Sequence, residues 1–325
     1  MRVKCLVTAA TILLTPAPAA RVAGAQAESG PCDRACLVGI TDRYLTAMAV
    51  HDPARAPVAR TFKFTENTGL VSLGEGLWVG TTEGPTTFRI YVADPLTGQV
   101  GFFGVLKEFD RPVLLALRLK VENRLITEIE HIVARNLNEV GLKNLVTPRT
   151  ALLTSVPAAG RTSRAEMLRI ANSYYDSIEQ SDGDLTPYAD DCVRRENGLQ
   201  TTTNTPAPGA GRGGAASPFA LLGALGCRDG LNTRGLSYIS RINARRLVAV
   251  DEEQGLVFAL SMFRHKGDVR SIEIVGVPGL DTMPMDFGPI DLEAAHIFKI
   301  TGGQMHEIEA MGFTLPYNSS NGWGQ

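Results

Sequence analysis

The chain has 325 residues, 44% of them hydrophobic, with a formal charge of −2. That length suits two domains of ordinary size, each able to bury its own core. Near-neutral charge without basic patches excludes nucleic acid and anionic membrane surfaces as expected partners.

The N-terminus reads as a targeting segment. Arg2 and Lys4 precede an apolar run from Cys5 to Leu14, and small residues lead on to Ala25 and Ala27. Residues 1–27 are therefore expected to be a signal peptide, cleaved after Ala25 or Ala27. The apolar run is too short for a membrane span, so the mature chain is expected to be secreted or periplasmic, with no membrane association after cleavage. Export leaves Cys32, Cys36, Cys192 and Cys227 in an oxidising compartment. The economical pairing is Cys32 with Cys36 and Cys192 with Cys227. Zinc is not expected, because neither pair has C-x2-C spacing or a closely spaced histidine pair.

One segment is a diverged copy of another. Tyr44, Asp52, Pro57, Ala59, Glu66 and Asn67 align without a gap on Tyr174, Asp182, Pro187, Ala189, Glu196 and Asn197. Two sibling α+β units follow from this, 28–135 and 161–325, joined by a linker over 136–160 and packed as a pseudo-dimer. In the first, Leu37, Ile40, Tyr44 and Met48 recur at helical spacing from Asp33 to Val50, and Asp52-Pro53 stops the helix. Strands are expected at Thr61–Thr65, Thr86–Ala93, Gln99–Glu108, Pro112–Glu122 and Leu125–Ala134. In the second, Ser163 and Glu166 form a capping box for a helix to Gln180. Its strands are expected at Cys192–Glu196, Leu247–Val250, Gly255–His265, Ala294–Thr301 and Gln304–Ala310. Two insertions interrupt this copy. Residues 201–226 are Gly/Pro-rich and read as a loop, with a lid as one use; 277–289 is expected to extend a sheet edge.

Helices followed by a curved antiparallel sheet, ending in Glu128-Ile129-Glu130 and again in Glu307-Ile308-Glu309, resemble the NTF2-like (SnoaL-like) superfamily. Cys32-Asp33-Arg34-Ala35-Cys36, Gly74-Glu75-Gly76-Leu77-Trp78 and Arg194-Arg195-Glu196-Asn197-Gly198 are similar to motifs of a secreted tandem-domain family of fungi and some bacteria whose domain has no assigned function. The resemblance implies an α+β fold of two tandem cone-shaped barrels, each with an apolar pocket. It implies no catalytic residue.

The candidate residues come from the chain itself. A carboxylate beside aromatic surface suits a general base, which singles out Glu196 and its copy Glu66. Asn197 and Asn67 beside them are candidates to orient substrate, with Tyr174 and Arg195 as further substrate contacts. Scarce histidines on apolar strands, His265 and His296, are candidate partner acids. Glu307 and Glu309 share a strand face, on what reads as a solvated edge. The expected function is a lyase or isomerase, using acid–base chemistry without metal or organic cofactor, on a mostly apolar small molecule. Two alternatives stand beside it: a non-catalytic ligand-binding or scaffold protein, and a glycoside-cleaving enzyme with paired carboxylates.

Overall fold

The computed structural model describes residues 32–204 and 217–324. The expected signal peptide, 1–27, and the Gly-rich centre of the first insertion, 205–216, lie outside the described residues. Helix α1 (Arg34–Ala49) begins at Asp33, whose carboxylate accepts the Cys36 amide, and buries Leu37, Ile40, Tyr44 and Met48. A single 3-10 turn at Pro53–Arg55, capped by Asp52, redirects the chain into β1 (Val58–Glu66) and β2 (Gly69–Leu70). The one-turn helix α2 (Leu77–Gly80) and β3 (Thr81–Glu83) follow. Then come β4 (Arg89–Asp94), β5 (Gln99–Glu108), β6 (Arg111–Glu122) and β7 (Leu125–Ala134). They form a seven-stranded sheet in the order β2-β1-β7-β6-β5-β3, with β4 also paired to β5.

The segment expected as a linker holds α3 (Glu139–Asn144) and α4 (Thr150–Leu153). Helix α5 (Arg164–Gln180), capped by Ser163, leads into β8 (Tyr188–Glu196) and β9 (Leu199–Gln200). After α6 (Pro218–Gly223) and α7 (Cys227–Asn232) come β10 (Arg241–Asp251) and β11 (Leu256–His265). Strands β12 (Ser271–Glu273), β13 (Thr282–Pro284), β14 (Ile290–Thr301) and β15 (Gln304–Pro316) complete the chain. The second sheet runs β10-β11-β14-β15-β8-β9. Its path retraces the first, with β10 alone in the place of β3 and β4, and includes the one parallel pairing: β1 beside β7, β8 beside β15. The fold is α+β, with strongly curved sheets. One expectation fails. The 277–289 segment does not extend the main sheet; β13 pairs only with β12 in a separate two-stranded sheet.

Strand alternation makes three apolar layers. Phe102, Leu115 and Leu117 pack with α1, and Val257, Ala259 and Phe298 pack with α5. The opposite faces, with Phe103, Leu114, Phe258 and Leu260, meet sheet against sheet. Strands buried on both faces read as continuous apolar runs, which is why Leu256–Phe263 shows no polar alternation. Phe258 lies over Gly101, where an added Cβ would sit 2.0 Å from its ring. The chain end returns to the first sheet, with the Trp323 indole N–H donating to Thr65 Oγ1 (2.8 Å) beneath Lys63 and Arg118.

Both expected disulfides are formed, Cys32–Cys36 and Cys192–Cys227. The second closes a separation of 35 residues. Replacing Cys192 and Cys227 with alanine is expected to destabilise the protein by roughly 3 kcal/mol, chiefly by freeing the unfolded chain. Urea unfolding reads this out, and an unchanged midpoint would refute it. No helix among the described residues is long and apolar enough to cross a membrane.

Candidate functional site

The two copies of Glu-Asn have a local cause. Asn67 and Thr68, like Asn197 and Gly198, adopt positive φ (47° and 70°; 46° and 80°). Such pairs form the tight turns that join adjacent strands, and asparagine tolerates the left-handed position. Each asparagine amide then clamps the neighbouring strand. Asn67 exchanges two hydrogen bonds with the Val133 backbone (2.7 and 3.2 Å), and Asn197 does the same with Gly312 (3.2 and 3.0 Å). These amides are engaged by the backbone and not left free for a substrate.

In the first half, Glu66 ends a buried chain of polar contacts. Tyr44 Oη accepts the Trp78 indole N–H (3.0 Å) and lies 2.9 Å from His131 Nε2. His131 Nδ1 is 3.5 Å from Glu66 Oε2, which accepts the Leu77 amide at 2.8 Å. Arg135 donates to Glu66 Oε1 (3.2 Å) and to Glu108. Burial pushes the Glu66 carboxyl up, but His131, the Leu77 amide and Arg135 together take it down to about 2. Gly76 permits this contact. Its φ is +65°, and an added Cβ would stand 2.7 Å from Glu66 Oε2. Leu77 and Trp78 fill the space here and are themselves buried.

In the second half the same ends are joined differently. Tyr174 and Glu196 occupy the positions of Tyr44 and Glu66, but Ala310 pairs with Glu196 where His131 pairs with Glu66. Arg194, at the position of Phe64, takes over. Its Nε donates to Tyr174 Oη (2.9 Å), Nη1 to Thr201 Oγ1 (2.8 Å) and Nη2 to Glu196 Oε2. These residues line a cavity of about 560 Å³, whose other walls include Leu222, Leu231, Leu236, Tyr238 and Ile308. Arg135 to Asn138, at the end of the first half, close one side. A volume of this size suits a small organic ligand. Glu196 is the one carboxylate among the described lining residues. Burial and the nearby Glu196 charge push the Tyr238 hydroxyl up to about 12, so it stays protonated.

The histidines do not converge on Glu196 as a pair. His296 borders a small neighbouring cavity of about 60 Å³ together with Glu196. Its Nδ1 lies 3.2 Å from Tyr175 Oη and its ring stacks on Phe298. Burial, reinforced by the Arg194 charge, lowers its pKa well below the ordinary value, so the ring is neutral and is no cationic acid near neutral pH. His265 is elsewhere. Ala259 faces His296 across the sheet, and His265 lies six residues further along β11, roughly 20 Å away. Its Nδ1 donates to the Tyr238 carbonyl (3.0 Å), and its ring packs on Phe287. Arg195 points to the opposite face of β8 from Arg194. It neighbours Arg149, Glu307 and Glu309 beneath the linking segment and does not line the cavity. The Glu307–Glu309 edge is not solvated: Arg149 bridges both carboxylates, and burial drives Glu309 up to about 7 against the pull of Arg149.

The sequence places Arg194 on the strand face of Glu196 and favours an ion pair from Arg194 or Arg195 to Glu196 or Asp190; the Arg194–Glu196 pair is formed. Sequence reasoning missed Tyr238 and met Trp78 only within the Gly74–Trp78 motif. The aligned copies also set Arg194 against the inward-facing core residue Phe64. Trp78 carried no such signal. Its segment is irregular, and its counterparts in the second copy fall in the Pro-rich insertion.

A family profile described as "Domain of unknown function (DUF8021)" matches residues 160–312. No curated protein matches the chain. Among solved structures, a ketosteroid isomerase candidate from Kribbella flavida is 13% identical, covering 38% of this chain and 92% of its own, with a TM-score of 0.27. AclR, a hydroxylase candidate from Streptomyces galilaeus, is 12% identical, covering 47% of this chain and 83% of its own, with a TM-score of 0.29. The activities in those descriptions belong to those proteins.

Proposed function

We propose that this is an exported protein of two tandem NTF2-like cones whose second cone binds a mostly apolar small molecule. The observation that carries this reading is the 560 Å³ cavity with the Tyr174–Arg194–Glu196 cluster on its wall. Apolar walls supply affinity through burial, and a few fixed polar groups supply orientation. The first cone, with Leu77 and Trp78 filling the equivalent space, is the structural sibling. Titration with the uncharged fluorophore N-phenyl-1-naphthylamine tests the reading. Saturable binding is expected, and Leu236→Trp, which places an indole in the cavity, is expected to weaken it at least about tenfold, or roughly 1.4 kcal/mol. Absence of binding, or binding untouched by Leu236→Trp, would overturn it.

A second reading, acid–base catalysis of the lyase or isomerase type, is favoured by one feature. Glu196 is a carboxylate on an apolar wall, with Oε2 held by Arg194 and Oε1 left for a substrate proton. Tyr238 would be the neutral donor on the same wall, in place of His265 or His296. Under this reading Glu196→Gln lowers turnover of a bound substrate by about 10²–10⁴-fold while binding changes far less. Product analysis by mass spectrometry decides it: bound compounds recovered unchanged leave the binding function alone.

A further inference from the structure

The first half carries its own version of a ligand. The Leu77 amide donates to Glu66 Oε2 and the Trp78 indole N–H donates to Tyr44 Oη (2.8 and 3.0 Å). The indole meets Tyr44 edge to face, at 5.3 Å between ring centroids, and is fully enclosed. The equivalent Tyr174 and Glu196 border the open cavity of the second half. In the second copy the chain after β9 runs into the 201–226 insertion, whose described residues Phe219 and Leu222 line the cavity and leave about 560 Å³ of it open.

The cavity wall is rich in aromatic residues, with Tyr174, Tyr188, Phe219 and Tyr238 all lining it. Arg194 engages Tyr174 Oη and Glu196 Oε2, which leaves Glu196 Oε1 without a partner among the described residues.

Resting on the binding function proposed above, we infer that the ligand is a planar aromatic molecule bearing one hydroxyl or N–H, of the phenol or indole class. Its rings take the place that the Trp78 indole takes in the first half, and its donor meets Glu196 Oε1. A hydroxyl suits the site particularly well, since it donates to the carboxylate and accepts from a tyrosine hydroxyl at once. A carboxylate has no hydrogen to give Glu196 Oε1 and is the wrong partner at that contact.

Calorimetric titration of the full mature chain with matched probes tests this. The probes are 2-naphthol, naphthalene (the same rings without the donor), 2-decalol (the same donor without planarity) and 2-naphthoate. Binding of 2-naphthol is expected to be at least about tenfold tighter than that of each of the others, the scale of one hydrogen bond to a charged acceptor. Naphthalene, 2-decalol or 2-naphthoate binding as tightly as 2-naphthol overturns the ligand class while leaving the binding function in place. No binding by any probe, N-phenyl-1-naphthylamine included, overturns the binding function and this inference with it. Glu196→Gln is a second check: it should narrow the gap between 2-naphthol and naphthalene, and an unchanged gap removes Glu196 as the acceptor and overturns the assignment.

Discussion

Trp78→Ala is expected to destabilise the protein by about 3–5 kcal/mol and to open a second aromatic site in the first half. The magnitude is that of deleting a large, fully enclosed ring whose surroundings collapse only in part. Trp78 is 1% exposed, packs edge to face on Tyr44 and gives its N–H to the Tyr44 hydroxyl. The backbone around it is held independently: the Leu77 amide stays on Glu66, and His51 Nδ1 stays on the Trp78 carbonyl (2.6 Å). The space left should therefore persist, keep the shape of an indole and retain Tyr44 Oη as an acceptor. Added indole is expected to restore part of the lost stability, by about 1.4 kcal/mol for each tenfold excess over its dissociation constant. Urea unfolding with and without indole measures both effects, and calorimetry should count one more indole site in the variant than in the unmodified protein. A loss below about 1 kcal/mol, or an equal number of sites, would count against the role given to Trp78.

How much of this was legible in the sequence depends on which forces set each element. Gln99–Glu108 and Leu125–Ala134 were readable to the residue, because turn residues bracket them: Gly98 precedes the first, and Asn123 and Arg124, both at positive φ, precede the second. Strands β8, β10, β14 and β15 run several residues beyond their expected ends. Charged residues such as Arg246 and Glu293 looked like strand limits, yet they lie within strands where the two sheets meet: Arg246 pairs with Glu130, and Glu293 is buried without an ion pair among the described residues. The site was half legible. Repetition of Tyr and Glu marked the right wall, but repetition of Asn reflected turn geometry. Histidine scarcity drew attention to His265 and His296, which are held by a backbone carbonyl and by an aromatic cluster. The residue that distinguishes the open half from the filled one is Arg194. It differs from its copy Phe64, so the repeat gives it no role, and what made its pairing with Glu196 legible was its place two residues away on the same face of β8.

Glu293→Gln should flatten part of the pH dependence of stability between pH 4.5 and 8. Glu293 is 2% exposed, and its Oε2 has no hydrogen-bond partner among the described residues. Burial, then the charge of Glu130 on β7, drives its carboxyl from 4.5 up to about 8. Arg246 on β10 pulls the other way but is committed to Glu130, through Nη1 at 2.9 Å and Nη2 at 2.5 Å, and Arg118 on β6 also faces Glu130 at 3.6 Å. A carboxyl whose pKa is higher in the folded state holds its proton more tightly there. Below 4.5 both states are protonated and nothing is lost. From 4.5 to 8 the unfolded chain releases the proton while the folded chain keeps it, so stability falls by about 1.4 kcal/mol per pH unit. Above 8 the loss is complete. Glu309, raised to about 7, adds a slope of the same sign that the variant retains. Glu66, lowered to about 2, acts in the opposite sense and only below its unfolded value of 4.5, outside this window. Urea unfolding at about pH 5, 6, 7 and 8 separates these contributions. The variant's advantage should grow from near zero at about pH 5 to several kcal/mol at about pH 8, and two parallel curves would show that Glu293 is already ionised in the folded protein. The burial of one unpaired carboxyl between the sheets thus ties their packing to a contribution that is whole at low pH and lost by about 8. Buried His296 opposes it below 6.5, since a lowered pKa favours the higher pH, and the variant retains that histidine.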